Sequence, residues 1–162
     1  MEFNDKIKNH MNTTLVFADP SDRLADVIFR MSTAKTEMVI VKSKGSLQGI
    51  ITETDIYYTL VKDVFPKALK QTGLSKDLNE IKIIDLMRGP PAQKVMAACE
   101  SYGWHPCVDV YEDDPLENAI FVIQRSGVHH LLVLDKKNNI VGTLSSSDII
   151  KGFGQGKEHK EK

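Results

Sequence analysis

The sequence is poor in the features that would assign it quickly. Its longest apolar runs are a few residues, far short of the ~20 that cross a bilayer. The start, Met1-Glu-Phe-Asn-Asp, has neither the basic opening nor the apolar segment of a secretory signal, so a cytoplasmic protein is expected. Two cysteines, Cys99 and Cys107, are too few for a disulfide framework and read as reduced thiols. A formal charge of -1 and the lack of a concentrated positive patch in the sequence make a nucleic-acid groove or an anionic membrane a poor default partner. No nucleophile stands in a His–Asp setting, so no enzyme chemistry is read. Cys99, His105 and Cys107 fit no standard zinc spacing and are read as packing residues. The glycines of Gly152-Phe-Gly154-Gln-Gly156 follow a helix rather than a strand and are discounted as a dinucleotide loop.

What the chain does contain is one unit written twice. Apolar content of 41% and charged content of 27% are those of a packed, water-exposed protein. Thr14 to Phe17 reads as a strand. It leads through Asp19-Pro-Ser21 into a helix capped by Ser21 or Asp22, with Leu24, Val27, Ile28 and Met31 on one face. Met38 to Val41 and Leu47 to Thr52 then form a strand pair about Gly45, and a helix starts at Glu53 and ends near Pro66. The order returns with Val108 to Tyr111. Asp114-Pro-Leu-Glu117 supplies the next helix start, with Leu116, Ala119, Ile120 and Ile123 as its apolar face. Leu131 to Leu134 and Ile140 to Ser145 make the second strand pair, and a last helix carries Ile149, Ile150 and Phe153. Leu24 to Leu116 and Ile28 to Ile120 are 92 apart, whereas Gly49 to Gly142 and Asp55 to Asp148 are 93 apart. This register predicts an internal duplication with one extra residue before the second strand pair. Ile7 and Met11 match Ile83 and Met87 at an offset of 76, which leaves an insertion with its own short helix, Ala92 to Tyr102, and Trp104 beyond it as a packing residue. The expected parts are a first repeat with its approach segment (1–63), a linker with the inserted helix (64–106), a second repeat (107–153) and a disordered tail (154–162).

Both copies end alike, in Gly49-Ile-Ile-Thr-Glu-Thr-Asp-Ile56 and Gly142-Thr-Leu-Ser-Ser-Ser-Asp-Ile149. An ionised aspartate accepts only and can take both hydroxyl protons of a ribose diol. A hydroxyl one turn earlier can donate to a ribose or phosphate oxygen, and a helix start attracts an anion. The same Thr/Ser-x-x-Asp spacing also fits a capping box that serves only the helix. Local sequence does not separate the two.

These residues resemble the CBS domain, named for cystathionine beta-synthase, as a tandem pair. The second copy, with Val128-His-His-Leu-Leu-Val-Leu, resembles the last repeat of the gamma subunit of AMP-activated protein kinase. The resemblance implies an α/β fold of two strand-helix-strand-strand-helix repeats packed pseudo-symmetrically, with adenosyl ligands held in the clefts between them. It assigns Asp55 and Asp148 to ribose, and Thr52, Ser145 and Ser147 to ribose or phosphate. His129 and His130 stand where the kinase subunit carries phosphate-reaching basic residues, and Val16 and Val108 join the ligand set. At the 93-residue offset the first-repeat counterparts of the two histidines are Thr36 and Glu37, so the second repeat is expected to supply the main contacts. Many members carry a basic residue before the final aspartate, where this chain has Thr54 and Ser147, which favours AMP over ADP or ATP. The resemblance further implies a non-enzymatic regulatory module that requires no cofactor or metal, pairs as a homodimer and acts on an effector protein. The alternatives are a structural dimerisation scaffold with vestigial sites, or a binder of S-adenosylmethionine, NAD or a metal.

Overall fold

A computed structural model describes residues 2–64, 77–87 and 109–155. The inserted helix, Pro66, Cys99, Trp104, His105, Cys107, Val108 and the chain beyond Gln155 lie outside these described residues. The chain divides into two compact units, one of Val16–Ala97 and one of Met1–Leu15 with Ala98–Lys162.

The first unit runs β1 (Phe17–Ala18), α1 (Leu24–Ala34), β2 (Met38–Ser43), β3 (Ser46–Thr52), α2 (Glu53–Thr59) with a wider final turn Leu60–Val64, and a short α3 (Ile83–Met87). Its sheet has the order β1-β2-β3, parallel then antiparallel. Leu24, Val27 and Met31 of α1 pack with Val39, Val41 and Ile51 of the sheet and with Ile81, Ile83 and Leu86. The second unit repeats the order as β4 (Asp109–Tyr111), α4 (Leu116–Ser126), β5 (His130–Leu134), β6 (Ile140–Ser145) and α5 (Ser146–Gln155), with sheet order β4-β5-β6. On α4 the fully buried positions are Leu116, Ala119 and Val122; Ile120 and Ile123 flank that face and are half-buried. Ile150 points outward, 71% exposed, and α5 continues through Gly154, which the sequence places in the tail.

Both first helices begin differently from the expectation. No side chain caps α1 or α4. Instead the Leu24 N–H donates to the Ile81 carbonyl at 2.8 Å, and the Leu116 N–H donates to the Asp5 carbonyl at 2.8 Å. The pattern is reciprocal, since Ile83 N–H donates to Asp22 O and Ile7 N–H to Asp114 O, both at 3.0 Å. Asp19, Asp22 and Asp114 serve the turns before the helices through their carboxylates. The approach segments therefore fill the donors that a side-chain cap would otherwise satisfy. They are fixed by Ile7 and Ile83, both fully buried, each worth ~1.5–3 kcal/mol of transfer free energy. Exposed pairs of Lys6 and Lys8 with Asp113 add a latch in the second unit. Hydrogen bonds from Lys6 and Lys8 hold the Asp113 carboxyl well below the usual range.

The extra residue of the second copy lies in the hairpin loop rather than before the strands. Met38 pairs with Thr52 and His130 with Ser145. The offset is thus 92 for the first strand of each pair (130 − 38) and becomes 93 only after the turn. The first loop reverses through Lys44 and Gly45, both at positive φ, as a two-residue hairpin turn requires. The second spans 135–139, where the Asp135 carboxylate takes the N–H groups of Lys137 and Asn139, and Asn138 supplies the left-handed residue. The first strand is also shifted, to Phe17–Ala18. Thr14 instead donates its N–H to the Asn12 side chain, and Asn12 exchanges two backbone bonds with Thr143 on β6.

The glycine inside the final strand has a steric reason in both copies. A Cβ on Gly142 would stand 2.6 Å from Met11 Sδ and 3.1 Å from the Asn12 carbonyl. One on Gly49 would stand 3.3 Å from Met87 Cε. The approach-segment methionine thus lies directly on the strand backbone. Gly142→Ala should lower stability by ~1–3 kcal/mol, the usual range for overpacking. Urea unfolding checks this, and an unchanged midpoint would refute the close approach.

Asp109 on β4 is a cost within the fold. It is half-buried, has no hydrogen-bond or ion-pair partner among the described residues, and burial raises its pKa. A carboxyl with a raised folded pKa withdraws stability as pH climbs from the unfolded value through the folded one. Asp109→Asn is therefore expected to raise the melting temperature at pH 7 and leave it unchanged below pH 3.

Candidate functional site

In each repeat the final strand delivers a hydroxyl residue to the start of a helix, and an aspartate turns back onto it. Thr52 ends β3 in extended conformation, with φ -110° and ψ 167°, and the chain enters α2 at the next residue. Its N–H and its hydroxyl both donate to Asp55 Oδ2, at 2.8 and 2.9 Å. In the second repeat the Ser145 N–H and hydroxyl donate to Asp148 Oδ2, both at 2.8 Å, and the Asp148 N–H returns to Ser145 Oγ at 3.2 Å. These are complete capping boxes, so the helix-end reading of the motif holds for both copies.

Capping nevertheless uses half of each carboxylate. Every hydrogen bond of the Asp55 and Asp148 side chains goes to Oδ2, and Oδ1 takes none from the described residues. Both caps fix the aspartate rotamer and leave one acceptor oxygen unused. Asp55 and Thr52 are buried, whereas Asp148 is half-buried over a buried Ser145. Ser147 is half-buried in the first turn of α5.

The strand register settles what stands beside each cap. His130 lies directly across from Ser145 on the same sheet face, and Met38 lies across from Thr52. His129 is exposed, and its carbonyl accepts the Ser146 N–H at 3.0 Å. The Glu37 carbonyl accepts the Glu53 N–H in the same way. The first-repeat counterparts of His129 and His130 are therefore Glu37 and Met38, one residue later than the uniform offset places them. Val16 sits just before β1, half-buried, with its carbonyl accepting the Ile40 N–H at 2.8 Å. The structure thus gathers His130, Ser145, Ser147 and Asp148 at one strand end, and Thr52 with Asp55 at the other; Val108 is outside the described residues. Sequence reading matched Met11 with Met87 but gave neither a place; both lie against the glycines of the same final strands. The signal available was their shared offset with Ile7 and Ile83.

Among the described residues no group of histidine, cysteine, aspartate or glutamate forms a metal-binding cluster. No helix of the described residues is long and apolar enough to cross a membrane.

Known proteins share this arrangement. The uncharacterized protein MJ1225 of Methanocaldococcus jannaschii is 24% identical over 150 residues, covering 93% of this chain and 48% of that relative. The chain therefore spans about half the length of this curated relative. The solved structure of MJ1225, described as a proposed archaeal homologue of g-AMPK, superimposes with a TM-score of 0.63 at 23% identity, covering 94% of this chain and 49% of the other. An uncharacterized conserved protein of Pyrococcus horikoshii matches with a TM-score of 0.66 at 18% identity over 94% of this chain and 95% of its own. The CBS domain pair of protein MJ0100, solved with 5′-methylthioadenosine and S-adenosyl-L-methionine, matches with a TM-score of 0.61 at 17% identity over 94% and 98%. The family model described as CBS domain matches twice, over residues 7–62 and 99–154, one match for each copy of the repeat. The chain belongs to the CBS domain family and carries two CBS repeats.

Proposed function

We propose that this protein is a regulatory module that binds an adenosine nucleotide through the hydroxyl–aspartate ends of its repeats and signals the bound state to a partner. The observation that carries this reading is the half-used carboxylate. Asp55 and Asp148 are each held rigid by a cap through Oδ2 while Oδ1 stays unpaired within the described residues. An acceptor oxygen with two lone pairs, pre-oriented at a helix start, suits the two hydroxyls of a ribose. The adenosyl ligands of the MJ0100 domain pair support the chemical class.

The second repeat is the stronger anion site. His130 lies beside Ser145, where an imidazole ring can offer an N–H to a phosphate oxygen. Met38 occupies the equivalent place in the first repeat, with Glu37 preceding it. No lysine or arginine stands immediately before either aspartate, where Thr54 and Ser147 are found. Low positive charge favours AMP over the triphosphate, with S-adenosylmethionine, NAD and a metal as rival ligands. The module has no catalytic role in this reading. It works in the cytoplasm, pairs as a homodimer through the outer faces of its helices, and acts on an effector by association. Exposed apolar residues at equivalent helix positions, Phe29 with Phe121 and Tyr57 with Ile150, support the pairing.

The competing reading is a scaffold in which the two motifs only cap helices, and the complete capping boxes favour it. Calorimetric titration with AMP, ADP, ATP and S-adenosylmethionine decides between them. Loss of a charge-assisted hydrogen bond is worth ~1.5–3 kcal/mol. Asp148→Ala should therefore weaken AMP binding by roughly ten- to over a hundredfold, measured well below its melting temperature because the cap is lost too. Asp55→Ala should have the smaller effect on affinity. If no nucleotide gives heat with folded, nucleotide-free protein, or if Asp148→Ala lowers stability without changing affinity, the scaffold reading stands.

A further inference from the structure

One face of the second sheet is polar where the same face of the first is apolar. Residues paired across strands project from the same side of a sheet. Asp109, Leu132 and Thr143 therefore form one row across β4, β5 and β6, and His130 and Ser145 form the next. In the first repeat the rows are Phe17, Ile40 and Ile50, then Met38 and Thr52. Asp109 thus stands in the place of Phe17, Thr143 in that of Ile50 and His130 in that of Met38. The Phe17 ring is used within its own unit, since Lys42 Nζ lies 4.7 Å from its centroid. Asp109 has no such neighbour.

Two of the polar groups on this face are unspent. Thr143 is 8% exposed, and its hydroxyl takes part in no hydrogen bond among the described residues. Its oxygen is not sealed, because every fully enclosed side-chain oxygen or nitrogen among those residues is paired. Asp109 is half-buried and also lacks a partner among them, and burial raises its pKa. A desolvated, uncompensated carboxyl lowers stability, and such costs collect at binding sites. What it lacks is a donor. The face is covered at Leu132 and open at its margin, where Asp109, His130, Ser147 and Asp148 are all half-buried. Two strand spacings and two residue rises place Asp109 about 12 Å from Ser145, on whose hydroxyl Asp148 closes. A nucleoside held at both ends by hydrogen bonds, from its ribose hydroxyls to the 6-position of its base, spans such a gap.

We infer that Asp109 is the base-reading residue of the second repeat and accepts the 6-amino group of an adenine whose ribose is held at Asp148. This rests on the nucleotide reading above and adds to it the choice of base. An ionised carboxylate only accepts, so it pairs with a 6-amino group and repels the oxygen of a 6-oxo purine. The Thr143 hydroxyl, which both donates and accepts, adds polarity without choosing. With Phe17 at the same place, the first repeat has no means of making the distinction.

Titration with AMP and with inosine monophosphate, its 6-oxo counterpart, tests this. The parent should prefer AMP by roughly ten- to a hundredfold, the worth of a hydrogen bond to a charged group. The amide of Asp109→Asn can meet either substituent, so the preference should fall to within about threefold. The ratio is the readout, because removing a negative charge moves both affinities together. The variant is expected to melt above the parent at pH 7, so a lost preference does not come from a damaged fold. Adenosine against inosine repeats the comparison without the phosphate. A parent that binds both bases alike would overturn the role of Asp109. So would a variant that keeps the parent's ratio while AMP binding still depends on Asp148, and either result leaves the nucleotide site standing. Absence of binding by all four ligands to folded protein removes the nucleotide reading and the base-reading role together.

Discussion

Each unit depends on a backbone bond between its first helix and an approach segment: Leu24 N–H to Ile81 O in one, Leu116 N–H to Asp5 O in the other. A helix start without a side-chain cap has free donors, and here those donors are filled by carbonyls from another part of the chain. The pairing is returned by Ile83 to Asp22 and by Ile7 to Asp114, and it seats a fully buried isoleucine in each core. Residues 2–15 belong structurally with the second repeat, and residues 78–87 with the first. The second repeat takes its approach segment from the other end of the chain, whereas the first is completed within Val16–Ala97. Both final strands must then leave room for the approach-segment methionine, which explains the glycine at the same place in each.

That arrangement also bears on the hydroxyl–aspartate ends. The final strand delivers Thr52 or Ser145 to its helix in a position fixed by pairing to the preceding strand and by the methionine against its glycine. The aspartate then closes on the strand end through one oxygen. The cap and the proposed ribose contact would use different oxygens of the same carboxylate. Using Oδ2 for the cap removes rotamer freedom that a ligand would otherwise have to remove on binding. The motif is legible as a cap because it is one.

The duplication and the order of elements were readable from spacing alone, since each is enforced by neighbours close in sequence, whereas the Thr/Ser-x-x-Asp spacing offered a cap and a ligand site without separating them. The failures share one cause. Ser21 or Asp22 and Asp114 look like helix caps locally, yet carbonyls of Ile81 and Asp5 hold the helix starts, and nothing in the adjacent residues announces a distant carbonyl. The extra residue was placed before the strand pair because the apolar runs Met38-Val-Ile-Val41 and Leu131 to Leu134 tolerate a one-residue slip. Cross-strand pairing does not, as the slip would turn every side chain to the opposite face. That correction makes Glu37 the counterpart of His129 and Met38, an uncharged residue, the counterpart of His130. Apolarity signals burial only statistically, and Ile150, at 71% exposure, belongs to the outer surface while its neighbour Ile149 is buried.

Divergence between the copies follows the same boundary between inside and outside. Leu24 and Leu116, Gly49 and Gly142, Met87 and Met11, and Asp55 and Asp148 remain alike because each is tied to a packed neighbour or a cap. Thr33 against Arg125, Glu53 against Ser146 and Tyr58 against Lys151 differ because helix exteriors are released from those ties. That asymmetry lies on the helix exteriors, whereas the symmetry lies where the fold requires it.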